Sequence, residues 1–296
     1  MAGLSQALTP KILDHTTSKA VFSLPTVYLA LLVSPGASGT STLSTMNEVS
    51  TGAYPNYARA AVSTSALASA IISGGGLGTN SLAITFPVCG GGGSSPVITG
   101  YALVDAASGT TANPTGVLWY GTFSSSMTVN SGNQPSIPAS NLNFSLTTSG
   151  GSSNFLVEKL IDLTDGKATY TPGGALYAAL VTGSPAASQI NAATDIIEPS
   201  SGQYTGYTRV QIPSASWSSA VVSTGVAGTT LTATVTFPTC TGGGTATITG
   251  FALIDGGSTA SGSGGNILYW GTLTSQTISI NTTPYFNIGG LTINLQ

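Results

Sequence analysis

The sequence predicts an all-β protein made of two tandem β-sandwich domains, each preceded by a short N-terminal helix. Three observations carry this reading. A long cassette occurs twice: Phe86 to Thr122 reads FPVCGGGGSSPVITGYALVDAASGTTANPTGVLWYGT, and Phe237 to Thr272 reads FPTCTGGGTATITGFALIDGGSTASGSGGNILYWGT. Short apolar or alternating runs rich in β-branched residues recur between turn signals, as strands of a sandwich do. Helical character is confined to one brief stretch at the front of each half. A closed barrel is the alternative architecture. The repeat divides the chain into domains 1–148 and 149–296, joined by the Gly/Ser stretch TTSGGSSN, which reads as a flexible linker.

Composition bounds the function. Charged residues make up 5% of the chain and hydrophobic residues 41%, so the surface is built mainly from Ser, Thr, Asn, Gly and Ala. A surface of that kind is weakly soluble when bare and is expected to be covered by neighbouring subunits. A mean hydropathy of +0.31 argues against disorder. With six basic residues and a net charge of −3, no basic patch can neutralise several phosphates, so nucleic acid is not an expected partner. The start MAGLSQALTPK lacks the basic and apolar regions of a secretory signal. The apolar strip Val27 to Val33 is too short for a membrane span, so no membrane partner is expected.

Taking the elements in order, Thr9 and Pro10 read as an N-cap and a first helical residue, with the helix running to about Lys19. Its counterpart is NFLVEKLIDLTDGK, with Asn154 as candidate cap; Lys159, Asp162 and Lys167 match Lys11, Asp14 and Lys19 at one constant offset. TVYLALLV from Thr26 and ALYAALV from Ala175 read as buried strands. A Ser- or Trp-bearing connector then leads to LAITFP and LTATVTFP, each a strand ended by proline. The cassette adds two strands per half, ITGYALVD with VLWYGTF, and ITGFALID with ILYWGTL. LNFSL and LTINL close the halves.

The charges pair across the repeat: Lys11 with Lys159, Lys19 with Lys167, Arg59 with Arg209, Asp14 with Asp162, Glu48 with Glu198, Asp105 with Asp255. Glu48 and Arg59 stand eleven apart, as do Glu198 and Arg209, which suits a loop folding back so that carboxylate meets guanidinium. These four residues are expected to form partly buried structural ion pairs. Tyr57 and Tyr207, two residues before each arginine, are placed to stack on it. An acid/base site from Glu48 and Asp105 is the sharper but weaker reading. His15 is the single histidine, and Leu163 takes its place in the second copy, so a triad or metal site would need it unaided. The glycines after Cys89 are followed by a strand rather than by the Gly-Lys-Ser/Thr and helix of a phosphate cradle. Neither an enzyme nor a cofactor-binding protein is expected, and no metal.

Cys89 and Cys240 are equivalent and do not make a disulfide framework. They are read as free thiols, with a bridge between chains as the alternative. The tandem aromatics Trp119-Tyr120 and Tyr269-Trp270 offer either a sugar-stacking platform or one core and one interface residue each, since adjacent strand residues face opposite sides.

The helix ALTPKILDHTTSKAVFSLPTVYLALLVS, the E…Y-x-R stretch, TFP, NILYWGTL and the final GGLTINL together resemble small tailed-phage virion proteins of the tail-fibre or minor structural type. The resemblance covers both halves, so this chain looks like a tandem version of a single-unit family. It implies a β-sandwich subunit of a bacteriophage virion with no catalytic or cofactor residues. The preferred expectation is a capsid decoration (cement) protein, partnered by the major capsid protein and by copies of itself, with a trimer as the guess. A tail fibre or receptor-binding protein contacting a host surface glycan is the alternative. In either case the chain belongs on the virion, assembled in the host cytoplasm.

Overall fold

The computed structural model describes residues 3–23, 26–72, 75–111, 115–147, 151–183, 192–256 and 264–295. The first half contains β1 (Gly3–Leu4), α1 (Thr9–Thr16), β2 (Val27–Val33), β3 (Ala60–Val62), β4 (Leu67–Ile72), β5 (Gly75–Asn80), β6 (Ile84–Thr85), β7 (Val97–Val104), β8 (Val117–Thr128), β9 (Ser136–Ile137) and β10 (Asn143–Thr147). The second contains α2 (Asn154–Thr164), β11 (Leu176–Val181), β12 (Val210–Ile212), β13 (Val221–Ser223), β14 (Val226–Thr230), β15 (Val235–Thr236), β16 (Ala246–Asp255), β17 (Asn266–Ile278), β18 (Tyr285–Phe286) and β19 (Thr292–Leu295).

The chain is all-β with tandem sandwiches. In the first half a large sheet of order β1-β8-β7-β2-β3 faces a small sheet β10-β5-β4, with a β6-β9 ribbon. The second half repeats this as β12-β11-β16-β17, β13-β14-β19 and β15-β18. All these pairings are antiparallel. The near-continuous apolar run of β2 has a direct cause, because its sheet is covered on both faces. Leu29 and Leu31 enter the main core, while Ala30 and Leu32 join a second cluster with Leu43 and Met46 from the following loop.

Several elements differ from their sequence reading. The connector before TFP is a hairpin, β4–β5, and it forms two strands of the small sheet. LAITFP and LTATVTFP contribute only the two-residue strands β6 and β15. The first helix stops at Thr16, and Thr9 donates to the Gln6 carbonyl (3.5 Å) rather than capping. Pro10 lacks the N–H that would close a turn onto Gln6, so regular helix begins later here than in α2. In α2 the cap is Ser153, whose Oγ accepts from Leu156 N–H at 3.0 Å; Asn154 is the first helical residue. The end of the expected linker is pinned as well, with Trp270 N–H donating to Gly151 O at 2.7 Å and Ser152 bridged to Tyr269. Residues 148–150 of that linker lie outside the described residues.

The repeat boundaries are not packing boundaries. Ser5 donates from its N–H to Leu118 O (3.0 Å) and from its Oγ to Val117 O (2.5 Å), and β1 pairs with Trp119 and Tyr120. That fixes the entry to α1 on its own half. The helix body then packs on β13, β14 and β19 of the second half. Reciprocally, Ser153 N–H is bonded to Leu268 O (2.9 Å), and α2 packs on β4, β5 and β10 of the first half. Domains 1–148 and 149–296 are thus repeats of sequence, while each sandwich is completed by the other repeat's helix. Leu8, Ile12 and Leu13 of one helix region and Leu156, Leu160 and Ile161 of the other join one core cluster that runs through both halves.

Candidate functional site

The recurrent charges converge on two kinds of place, the first being a loop clamp in each half. Arg59 grips Glu48 with both ends of its fork, Nε to Oε1 at 2.8 Å and Nη2 to Oε2 at 2.7 Å. The same guanidinium donates to the carbonyls of Ala106 (2.8 Å) and Gly109 (2.9 Å), so it ties the loop after β7 to the loop before β3. Arg209 repeats this with Glu198, at 3.0 Å and 2.7 Å, and reaches Gly264 O at 3.3 Å. The second clamp is the deeper one, with side chains 0% and 3% exposed against 4% and 19% in the first.

The tyrosines do not stack on the arginines as the spacing suggested. The Tyr57 hydroxyl donates to Glu48 Oε1 (2.8 Å) and accepts from Leu31 N–H (3.0 Å), and its ring stacks on Phe86. Tyr207 does the same with Glu198, Leu180 and Phe237. Burial, reinforced by the neighbouring carboxylate, raises both phenols far above their ordinary range. Glu48 is committed to three donors and is no free base. Asp105 accepts from the N–H groups of Thr115 and Gly116, and Asp255 from Tyr170 and Asn266. They bind the ends of the hairpin loop in one half and an incoming segment in the other.

The second place is the exchanged-helix contact. Asp14 Oδ1 accepts from Ala220 N–H (2.9 Å) and Lys19 donates to Trp217 O (2.7 Å), both in the opposite half. Lys167 donates to Ser69 across the halves (2.6 Å) while pairing with Asp162 at 3.0 Å. His15 is buried here too. Its Nδ1 accepts from Phe22 N–H (3.0 Å), so the proton sits on Nε2 and is donated to Tyr170 O (2.7 Å). Burial lowers its pKa from the ordinary histidine value, and both ring nitrogens are consumed.

The four candidate aromatics are packed within the chain. Trp119 is fully buried and donates from Nε1 to Thr164 Oγ1 of the exchanged helix (3.0 Å); Tyr269, its equivalent, bonds Thr16 Oγ1 (2.9 Å). Tyr120 and Trp270 pack against the clusters on the outer faces of the large sheets. The paired aromatics therefore form no exposed stacking platform, because one member of each pair closes the contact between the halves. Cys89 and Cys240 are free thiols, and both are buried, each within reach of a glycine carbonyl two residues on or nearer. Neither thiol is bridged within the chain. Sequence reasoning missed Asp165, a buried carboxyl at the end of α2 whose Oδ2 has no hydrogen-bond partner. Its equivalent in the first helix is Thr17, and that mismatch was the available signal.

Each half carries an open groove, of about 680 Å³ in the first half and about 540 Å³ in the second. They occupy equivalent positions, between the far end of β8 or β17 and the ribbon strand β9 or β18. Among the described residues no three His, Cys, Asp or Glu side chains gather as metal ligands. Among the described residues no helix is long and apolar enough to cross a membrane.

A β-sandwich unit used twice, with most of its recurrent charges tied up in loop clamps and helix docking, is a repeat-built structural protein. The chain belongs to the family described as podophage GP4 fiber I protein gp80, whose model matches residues 3–145 and again 151–294. It is a bacteriophage virion structural protein in tandem form. No curated protein matches it.

Proposed function

We propose that the chain is a non-enzymatic subunit of a fibre or fibre-attachment structure on a podophage particle. The observation that carries this is the double family match, which spans nearly all of both halves and bears the description of a fibre protein. The geometry supports it. Glu48, Glu198, Asp105 and Asp255 each accept hydrogen bonds that fix loops, and a surface poor in charge suits burial against other virion proteins and copies of the same chain.

A head decoration role is the second reading, favoured by the compact sandwiches and by helices whose exchange is satisfied within one chain. One experiment separates the two. Purified particles are labelled with gold-conjugated antibody against this chain, and its copies are counted against the capsid protein. The fibre reading expects label at tail-proximal appendages and few copies per particle. Label spread over the head, at a copy number near that of the capsid protein, overturns it in favour of decoration.

A further inference from the structure

The duplicated groove has a ligand chemistry of its own. Both copies fall within the ~300–1,000 Å³ typical of small-molecule sites. In the second half the floor is apolar, made by the buried Phe237, Ile248 and Phe286. Tyr285 stands on the rim with 57% of its surface exposed, an unusual place for a large aromatic in a chain with 7% aromatic residues. Gln276 and Asn287 line the same groove. None of these three side chains has a hydrogen bond to another described residue, so a phenol and two carboxamides are turned outward uncommitted. No described lining residue of either groove carries a charge.

We propose that the groove of the second half binds a neutral saccharide. A pyranose ring has one face of C–H bonds and an edge of hydroxyls, each both donor and acceptor. The Tyr285 ring covers the apolar face, and the carboxamides of Gln276 and Asn287 bond the hydroxyls, since an amide likewise donates and accepts. An ionic ligand finds no counter-charge here and would lose its hydration without return. The first-half groove has Ser136 where Tyr285 stands, by the matching pairs Thr85–Ser136 and Thr236–Tyr285. It is a weaker copy for want of the stacking ring. The site goes beyond the structural role and does not depend on which part of the particle the chain occupies.

Saturation-transfer NMR on the purified full chain tests this, with methyl glucoside, methyl galactoside, maltotriose and chitobiose as probes, 3′-sialyllactose as the charged counter-probe and an uncharged extended peptide as the competing ligand. The expected result is transfer to at least one neutral saccharide. Tyr285→Ala and Gln276→Leu should each weaken it about tenfold or more without shifting the melting temperature, and Ser136→Tyr should strengthen the first-half site. Absence of transfer to every neutral probe overturns the proposal, as does binding indifferent to both Tyr285→Ala and Gln276→Leu, or a groove occupied by the peptide and not by sugars. The particle-labelling result is independent of all three outcomes.

Discussion

Asp165 carries the clearest consequence of a single residue. Burial, opposed by the backbone N–H of Lys167 and aided by Asp162, pushes its carboxyl up to about 8. The strands packed against this end of α2, LASAII, GGLGTN and NFSLT, hold no titratable side chain, so Asp162 and Lys167 are its charged neighbours. A carboxyl raised in the folded state binds more protons than in the unfolded chain between about pH 4 and 8. Stability therefore falls as pH rises through that window, at up to about 1.4 kcal/mol per pH unit. His15, lowered by burial, acts the other way and costs stability as pH drops below about 6.5. Asp165→Asn should remove the alkaline loss, leaving urea midpoints that are flat from pH 7 to 8 where the parent declines; a parent with no such decline refutes the assignment. The clamps give a second test. Arg209→Ala strands a carboxylate that is 3% exposed and should cost ~3–5 kcal/mol, and Arg59→Ala less, because Glu48 is 19% exposed. Equal losses in the two halves would contradict the difference in depth. The pairing of Glu48 with Arg59 was legible from equal spacing in both copies. Asp165 was not, since its cost comes from the opposite half's strands, which share no sequence neighbourhood with it.

At the scale of elements, glycine decides how closely the exchanged helix approaches. Gly76 and Gly78 on β5 face α2. A Cβ at Gly78 would lie 2.7 Å from Ile161 Cγ2, and one at Gly76 2.8 Å from Ile161 Cδ1 and Val157 Cγ1. Gly78→Ala meets a branch methyl that cannot swing away, so it should cost ~1–3 kcal/mol through overpacking. Gly174→Ala, with nothing within 4 Å, is the control and should be near neutral. Combining Gly78→Ala with Ile161→Ala should cost less than the two losses added, because the clashing methyl is gone; strict additivity in denaturant titrations would place the strain elsewhere. These glycines explain why the sequence hid the hairpin. GGLGTN has Thr79 as its one β-branched residue, too little to mark a strand, and its alternate positions are bare because a helix from far along the chain fills that space. The cassette strands β7, β8, β16 and β17 were legible, since their own side chains supply the packing.

For the whole molecule, reciprocal exchange turns a duplication into one cooperative unit. Two sandwiches joined only by a linker would melt separately, their contact no greater than that of ordinary neighbouring domains. Here Trp119 reaches Thr164 and Tyr269 reaches Thr16, and Leu8, Ile12 and Leu13 fill the second half as Leu156, Leu160 and Ile161 fill the first. Unfolding either sandwich strips the apolar stripe from a helix that the other half still anchors through Ser5 or Ser153. Exposing several buried leucine-sized side chains costs ~1.5–3 kcal/mol each, so a half-unfolded state is penalised by several such terms and should not accumulate. Calorimetry on the full chain should show one transition whose calorimetric and van't Hoff enthalpies agree. Leu160→Ala, which lies in the second repeat's helix but in the first sandwich's core, should lower that single transition as a whole, by ~2–5 kcal/mol. Two resolved transitions, with Leu160→Ala moving only one of them, would mean that the exchanged helices pack without coupling the halves.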